Sequence, residues 1–266
     1  MLLGAMNDPR RPVLQEVRAI AAAGFAFVDL TLEPPGADPA ALPLAELGRT
    51  LRACQLELVG HTAWFLPLAS PFPEVAAAAQ GVVQRCVEAC AALGARLVTV
   101  HPDPLPGLRG GAETVAANAA AVQLLSRHAA SVGVRLMVEN LPGRFGEPEA
   151  LQPLLEAAPG AGFHLDVGHA NLQPRPLAEE GGPAGRTAAL LAAFGGRLCH
   201  VHLSDNLCGP DDLHLPIGAG RIAWAAELAR LRAVYDGTLT LEVHAAEPVY
   251  LRESAAVVRR LWETAP

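Results

Sequence analysis

A ten-residue stretch, Gly162-Phe-His-Leu-Asp-Val-Gly-His-Ala-Asn171, contains the residue types that bind divalent metal ions. An apolar run ends abruptly in Asp166, and His169 follows three residues later, with Gly168 between them. This pattern is typical of a buried strand that delivers a carboxylate and an imidazole to its open end, and Zn²⁺ and Mn²⁺ accept both ligand types. One such pair is a weak signal, because Asp and His also cap helices and close turns. The prediction of a metal site therefore depends on the other strand ends.

Apolar runs alternate with helical patterns along the whole chain, and together they predict the fold. The predicted strands are residues 2–6, 25–32, 56–61, 97–101, 136–140, 162–166, 198–203 and 239–243. The predicted helices are residues 11–23, 43–54, 73–93, 112–131, 147–157, 184–194, 223–233 and 250–263. Near-continuous hydrophobic strands separated by helices are typical of a parallel sheet that is covered on both faces. The pattern predicts an α/β fold, a (β/α)8 TIM barrel, as a single domain over residues 1–266.

Potential metal ligands follow six consecutive predicted strands, the third to the eighth. They are His61, His101, Glu139, Asp166 with His169, His202 with Asp212 and His214 in the loop that follows it, and Glu242. In barrel enzymes the active site lies at the carboxyl ends of the strands, so these side chains are expected to meet at one mouth. Randomly placed polar residues would also fall on helices and on the amino ends, so their shared location favours a metal site.

Several polar residues near the strand ends have more than one interpretation. His200 and His202 are two residues apart on one strand and point to the same face, and His202 is the favoured ligand because it lies nearer the strand end. His164 lies deeper in its strand and is interpreted as a core histidine. His244 fits either a supporting contact behind the ligands or a loop residue. Residues 205–206 fit substrate contacts and a turn equally well.

The charge pattern excludes some classes of function. The formal net charge of −7 gives no electrostatic support for nucleic-acid binding. It does not exclude that partner, because bound divalent metals and a few arginines can reverse the local field. All 20 basic residues are arginine, which excludes Schiff-base chemistry on lysine and a P-loop lysine. No G-x-G-x-x-G follows the first strand, which weighs against a dinucleotide-binding fold.

The chain shows neither a long apolar span nor a secretory signal, so we expect a cytoplasmic protein with no membrane partner. Its five cysteines include no C-x-x-C and fit reduced thiols. Cys86 and Cys90, one helical turn apart, indicate a core face of a helix. Segment 173–185 is the longest predicted loop, and it fits a lid and an ordinary surface loop equally well. A homo-oligomer is also left open.

The strand-end motifs resemble those of a known group. They are His61 followed by Leu68-Ala-Ser-Pro71, Val100-His-Pro-Asp103, Val138-Glu-Asn140, Leu165-Asp-Val-Gly-His-Ala170, His200-Val-His-Leu-Ser-Asp205, Asp212-Leu-His-Leu-Pro-Ile-Gly218 and Leu241-Glu-Val243. In these motifs nearly the whole chain resembles the xylose-isomerase-like barrel superfamily. That superfamily contains sugar and sugar-phosphate isomerases and epimerases and also endonuclease IV, which cuts DNA at abasic sites.

The resemblance implies a set of metal ligands. Isomerase and epimerase members typically hold one divalent metal with Glu, Asp, His and Glu, which by motif correspond to Glu139, Asp166, His202 and Glu242. The endonuclease branch uses five more ligands to hold three zinc ions. The matching positions are His61, His101, His169, Asp212 and His214, and each carries the required residue type. The implied cofactor is therefore a divalent metal, Zn²⁺ or Mn²⁺, with one to three ions.

The favoured function is that of a metal-dependent isomerase or epimerase of a small sugar, sugar phosphate or related polyol. Glu139 and Glu242 are predicted to be the catalytic residues that transfer a proton between adjacent carbons. The metal would polarise the substrate carbonyl. The predicted substrate-binding residues are His169, which could instead bind a second metal, the aromatic pair Trp64 and Phe65, the amide of Asn140, and Arg109, Arg144 and Arg221 as candidates for a phosphate or carboxylate clamp.

Two other functions remain open. A zinc-dependent phosphodiesterase of the endonuclease IV type, acting on abasic DNA, would use all nine ligands, and Trp64-Phe65 could then form a DNA-inserting wedge. Short loops with few clustered arginines weigh against it, because DNA binding needs several basic contacts to phosphate. The third alternative covers dehydration of a sugar-derived acid, or a binding protein that kept the ligands without turnover.

Overall fold

The structure is a computed structural model that describes residues 1–105, 107–173, 184–244 and 247–264. In these residues, parallel strands are hydrogen-bonded in sequence order and form a closed eight-stranded barrel. The strands are β1 Leu2–Met6, β2 Phe27–Leu32, β3 Glu57–Thr62, β4 Leu97–Val100, β5 Arg135–Glu139, β6 Gly162–Asp166, β7 Leu198–Leu203 and β8 Thr238–Leu241. The predicted (β/α)8 barrel is confirmed, and each predicted strand is found within two residues of its expected bounds.

Helices follow the strands in the predicted order. They are α1 Val13–Ala22, α2 Leu44–Cys54, α3 Pro73–Ala92, α4 Gly111–Ser131, α5 Pro148–Ala157, α6 Val167–Ala170, α7 Ala184–Phe194, α8 Trp224–Arg232 and α9 Pro248–Thr264. The single-turn helix α6 was not predicted, because four residues are too few to show a helical period. Within the described residues, no helix combines the length and the apolar character needed to cross a membrane. Residues 174–183, most of the predicted loop 173–185, lie outside the described residues.

The chain divides into two compact units. We call Gly4–Glu139 with Glu149–Gly162 the N-terminal unit, and Met1–Leu3 with Asn140–Pro148 and Phe163–Pro266 the C-terminal unit. The assignment of residues 1–266 to a single domain stays a prediction.

In the N-terminal unit, the strands and helix α3 contribute closely packed core residues. All residues of β2 are buried, as expected for a strand covered on both faces. Cys86 and Cys90 of α3 are buried, and a Cβ on Gly60 of β3 would lie 2.4 Å from the Cys90 Sγ. Burial raises the pKa of the Cys86 thiol to about 12 and raises that of Cys90 as well. Both thiols are therefore protonated core groups, as their spacing in the sequence predicted.

In the C-terminal unit, strand register aligns three chemically active side chains. Asp166, the last residue of β6, is paired with His202 of β7, and Leu203 is paired with Leu241 of β8. Because His202 is paired with Thr240, Glu242 lies two residues beyond the level of His202, directly after the end of β8. Because parallel strands point the same way, this register brings the carboxyl ends of β6, β7 and β8 to the same edge.

The close packing of β3 on α3 leads to a first prediction. Gly60→Ala should lower the free energy of unfolding by about 1–3 kcal/mol, because the new Cβ would overlap the Cys90 Sγ and approach Val98 to 2.9 Å. The control is Gly81→Ala in α3, where the new Cβ would lie 3.8 Å from the end of a flexible arginine and, among the described residues, meet nothing closer beyond its own helix backbone. That substitution should raise stability by up to about 1 kcal/mol. Urea unfolding of both variants checks this, and equal stabilities would contradict it.

Candidate metal centre

Three ligand groups meet at the ends of β6, β7 and β8. The Nδ1 atom of His202 lies 3.0 Å from the Oε2 of Glu242 and 3.8 Å from the Oδ2 of Asp166. Asp166 and His202 have no exposed surface, and Glu242 is 9% exposed. Burial of two carboxylates on the same imidazole is costly unless a cation balances their charge. Carboxylate oxygen and imidazole nitrogen are ligands of Zn²⁺ and Mn²⁺, so the donor set fits the predicted metal.

Asp166 is held in place by backbone contacts on both sides. The Nδ2 of Asn140 donates to the backbone oxygen of Asp166 at 2.9 Å, and the Asp166 amide donates to the Asn140 Oδ1 at 2.8 Å. The Asp166 Oδ1 accepts from the His169 amide at 2.5 Å and so caps α6. A Cβ on Gly168 of α6 would lie 2.4 Å from the Ser204 Oγ, so this close approach favours glycine. The amide of Asn140 thus supports Asp166, and its predicted contact with substrate stays a prediction.

A second set of three ligands is formed by His169, Asp212 and His214. The Oδ2 of Asp212 lies 3.1 Å from the Nε2 of His169 and 3.0 Å from the Nε2 of His214. The Nδ1 of His169 lies 2.9 Å from the carbonyl oxygen of Asn140, and the Nδ1 of His214 lies 3.1 Å from that of Glu242. A carbonyl oxygen only accepts, so each Nδ1 carries the proton and each Nε2 is directed at the common carboxylate. Metal-binding histidines are typically held in this way.

The charges of this second set are strongly coupled. Burial lowers the pKa of His214, but the hydrogen bond to Asp212 and the negative charge of Glu242 outweigh burial and raise that pKa to about 9. Burial likewise raises the pKa of Asp212, and the hydrogen bonds from His169 and His214 reverse this and hold it well below its usual range. Without metal, the set is therefore an ion pair between an imidazolium and a carboxylate. A metal ion would replace the imidazolium proton.

The N-terminal unit contains a third set at the ends of β3, β4 and β5. The Oε2 of Glu139 lies 3.3 Å from the Nε2 of His61 and 3.0 Å from the Nε2 of His101, and the two imidazole rings meet edge to face. All three side chains are buried. Their ligand atoms lie within 4.8 Å of one another, so the set can hold a metal ion.

Glu33, which directly follows β2, is a residue near His61 that the sequence reasoning missed. Burial raises the pKa of this half-buried carboxyl, and the charge of His61 opposes the rise. The sequence signal that could have identified Glu33 is its position immediately after the apolar run of β2.

The predicted substrate-binding residues have different surroundings. Trp64 and Phe65 are each more than half exposed and meet edge to face, with ring centroids 6.0 Å apart. Arg144 and Arg221 are exposed. Arg109 donates to the backbone oxygen of Ala69 at 2.7 Å, so this guanidinium connects two loops. Their contacts with substrate stay predictions.

Two further histidines lie in the interior of the C-terminal unit. The Nδ1 of His200 lies 2.7 Å from the Thr238 hydroxyl, and its Nε2 lies 3.0 Å from the Thr240 hydroxyl. His164 is also fully buried, and its ring packs against that of His202, with centroids 4.1 Å apart. His164, His200 and His202 also form a group able to hold a metal ion, so the core role expected for His164 and the preference for His202 over His200 stay predictions.

Comparison with known proteins identifies the family. The family model described as xylose isomerase-like TIM barrel matches residues 17–261. The chain belongs to the xylose isomerase-like TIM barrel family. The TTHB071 protein from Thermus thermophilus, in a structure soaked with ZnCl2, is 29% identical, with a TM-score of 0.76 and full coverage of both chains. A D-tagatose 3-epimerase-like protein has a TM-score of 0.86 at 23% identity, covering 100% of this chain and 98% of its own, and shows the shared fold.

A curated relative belongs to the other branch that the sequence resembles. It is a probable endonuclease 4 from Halorhodospira halophila, 30% identical over 178 residues, which are 62% of this chain and 59% of that protein. The chain spans less than two thirds of the length of the curated relatives that it matches.

The ion pair of the second set leads to a prediction of pH dependence. The pKa of folded His214, about 9, lies above its ordinary value of 6.5, so its contribution to stability is complete below the ordinary value and is lost as the pH rises toward 9. In chelator, the stability advantage of the wild type over His214→Gln should fall across this range by at most about 3 kcal/mol. Urea unfolding measures it. An advantage that does not change with pH would contradict the ion pair.

Proposed function

We propose that this member of the family is a metal-dependent epimerase or isomerase of a small sugar, sugar phosphate or related polyol. The observation that carries the proposal is the convergence of the Asp166 and Glu242 carboxylates on one imidazole nitrogen of His202, at the ends of adjacent strands. The proposal agrees with the D-tagatose 3-epimerase-like protein, whose fold this chain shares.

The residues that would hold the metal are Asp166, His202 and Glu242 of the C-terminal unit. Glu139, the fourth ligand in the sequence prediction, lies at the end of β5. When bound, a divalent ion supplies a Lewis acid that polarises the substrate carbonyl and its neighbouring hydroxyl. Zn²⁺ and Mn²⁺ both fit the donor set of carboxylates and an imidazole.

The chain's own carboxylates would move the proton. Glu242 takes the proton from the carbon beside the substrate carbonyl, and the electron pair of the broken C–H bond moves toward the carbonyl oxygen. Glu139 acts as the acid that returns a proton. Return to the opposite face of the same carbon gives the epimer. Return to the neighbouring carbon, with transfer of the hydroxyl proton to the former carbonyl oxygen, gives the isomer.

Binding of the sugar would use the substrate-binding residues predicted from the sequence. The exposed rings of Trp64 and Phe65 offer an apolar wall against the face of a sugar ring. His169 is held by the Asn140 carbonyl, so its Nε2 has one fixed direction and can bind either a substrate hydroxyl or a second metal.

The test is proton exchange with solvent. In D2O with Mn²⁺ or Zn²⁺, the protein should place deuterium on the carbon beside the carbonyl of at least one member of a panel of ketoses and ketose phosphates, as followed by NMR. Glu242→Gln should lower the exchange rate about a hundred- to ten-thousand-fold, because an amide cannot accept the proton. Glu253→Gln, on the exposed face of α9, is the matched control and should retain full activity. Lack of exchange by metal-loaded wild type across the panel would overturn the proposal.

A zinc phosphodiesterase is the second candidate function. The additional sets His169-Asp212-His214 and His61-His101-Glu139 favour it, because three zinc ions need about this many ligands. The relationship to a probable endonuclease 4 is a further reason to test it.

Metal content and DNA cleavage distinguish the two candidates. The phosphodiesterase predicts three tightly held zinc ions per chain by elemental analysis, nicking of a duplex with one abasic site, and loss of nicking in Asp212→Asn. The epimerase proposal predicts proton exchange on a sugar substrate and no cleavage of the duplex. A protein that holds a single exchangeable metal and leaves the duplex intact would rule out the phosphodiesterase.

A further inference from the structure

We infer that Asp205 is the positioning residue that fixes the loop carrying Asp212 and His214, and thereby assembles the ligand set of His169, Asp212 and His214. We call residues 206–222, between β7 and α8, the ligand loop. The inference rests on the proposed metal centre and adds a residue that contacts neither metal nor substrate.

The carboxylate of Asp205 joins the two ends of the ligand loop. Its Oδ1 accepts from the amide of Asn206 at 2.9 Å and from that of Ile222 at 3.2 Å, and its Oδ2 accepts from the amide of Gly218 at 2.8 Å. One donor therefore lies at the start of the loop and two lie at its end. Asp205 is fully buried, so water does not compete with these charge-assisted hydrogen bonds.

Backbone contacts around this carboxylate bring the loop close to Asp205. Asp205 and Leu215 exchange hydrogen bonds of 2.9 and 2.8 Å as an antiparallel bridge. The amide of Arg221 donates to the backbone oxygen of Asn206 at 2.7 Å. A Cβ on Gly220 would lie 2.3 Å from the Asp205 Oδ1 and 2.2 Å from the Asn206 oxygen. The end of the loop thus passes directly against Asp205, which requires glycine at position 220.

The loop needs such a constraint because its backbone is unfavourable at a ligand. His214 has a φ of 45°, in the left-handed region, which residues other than glycine rarely adopt and which strains the backbone there. This conformation directs the His214 ring so that its Nδ1 meets the Glu242 carbonyl and its Nε2 meets Asp212. The amide of His244, which follows β8, also donates to the backbone oxygen of His214 at 3.0 Å. Without the Asp205 contacts, the loop would relax and the two ligands would separate.

The test is a Zn²⁺ titration of the purified full-length protein, with Asp212→Asn used to assign the binding event that belongs to this set. Asp205→Asn should weaken that event about 10- to 100-fold and leave the remaining events unchanged. The new amide would direct a donor at the Gly218 amide, so one loop contact is lost.

A pair of glycine variants provides an independent test if Asp205→Asn does not fold. Gly220→Ala should weaken the same event, because its Cβ separates Asp205 from the loop. Gly209→Ala lies in the same loop, and among the described residues the new Cβ would meet nothing within 4 Å beyond its chain neighbours, so this variant should bind like the wild type.

The possible outcomes separate positioning from general stability. A merely structural role would lower all Zn²⁺ binding events together, or only the melting temperature measured in chelator, and either result would overturn the inference. Unchanged Zn²⁺ binding by Asp205→Asn and Gly220→Ala would also overturn it. A wild type without any event sensitive to Asp212→Asn would instead remove the proposed metal set, and with it the role of Asp205.

Discussion

The burial of carboxylates beside imidazoles at the strand ends is the constraint on which the rest of the structure depends. Asp166 and Glu139 have almost no exposed surface, and each lies within reach of an imidazole nitrogen in its own unit. An isolated buried carboxylate is expensive, so such groups persist where a cation or a set of donors balances them. A divalent metal ion would meet this need with two charges in one place, and the donor groups of both clusters are able to hold one.

Backbone carbonyls decide how the imidazoles are used. In His169 and His214, the Nδ1 of the ring contacts a backbone carbonyl oxygen, which fixes the direction of the Nε2. The carbonyl of Glu242 therefore orients a neighbouring ligand while its carboxylate faces His202. Because one residue serves both ligand sets of the C-terminal unit, a change at the end of β8 would affect both.

Several polar residues of the strand-end motifs support the loops. Asp103 accepts from the amides of Ala69 and Leu105 and so connects the loops after β3 and β4. The side chain of Asn118 accepts from the amide of Asp103 and donates to its carbonyl oxygen. In the C-terminal unit, the carboxylate of Asp205 likewise accepts from a loop amide. Buried carboxylates and amides are suited to this task because loops have backbone amides that no strand or helix satisfies. These loops thus depend on buried polar side chains that bond to the backbone and lie outside the three candidate ligand sets.

The sequence by itself determined the order of strands and helices and the residue types at the strand ends. Both follow from local patterns, since an apolar run that stops at Asp166 or Glu242 needs no partner to be recognised. Only the tertiary structure decided what the polar groups contact, because their partners are distant in the chain. Asn140 is joined to Asp166, and Arg109 to Ala69, through contacts that span 26 and 40 residues. Hydrogen bonds of this kind depend on strand register and loop path, which no local pattern encodes.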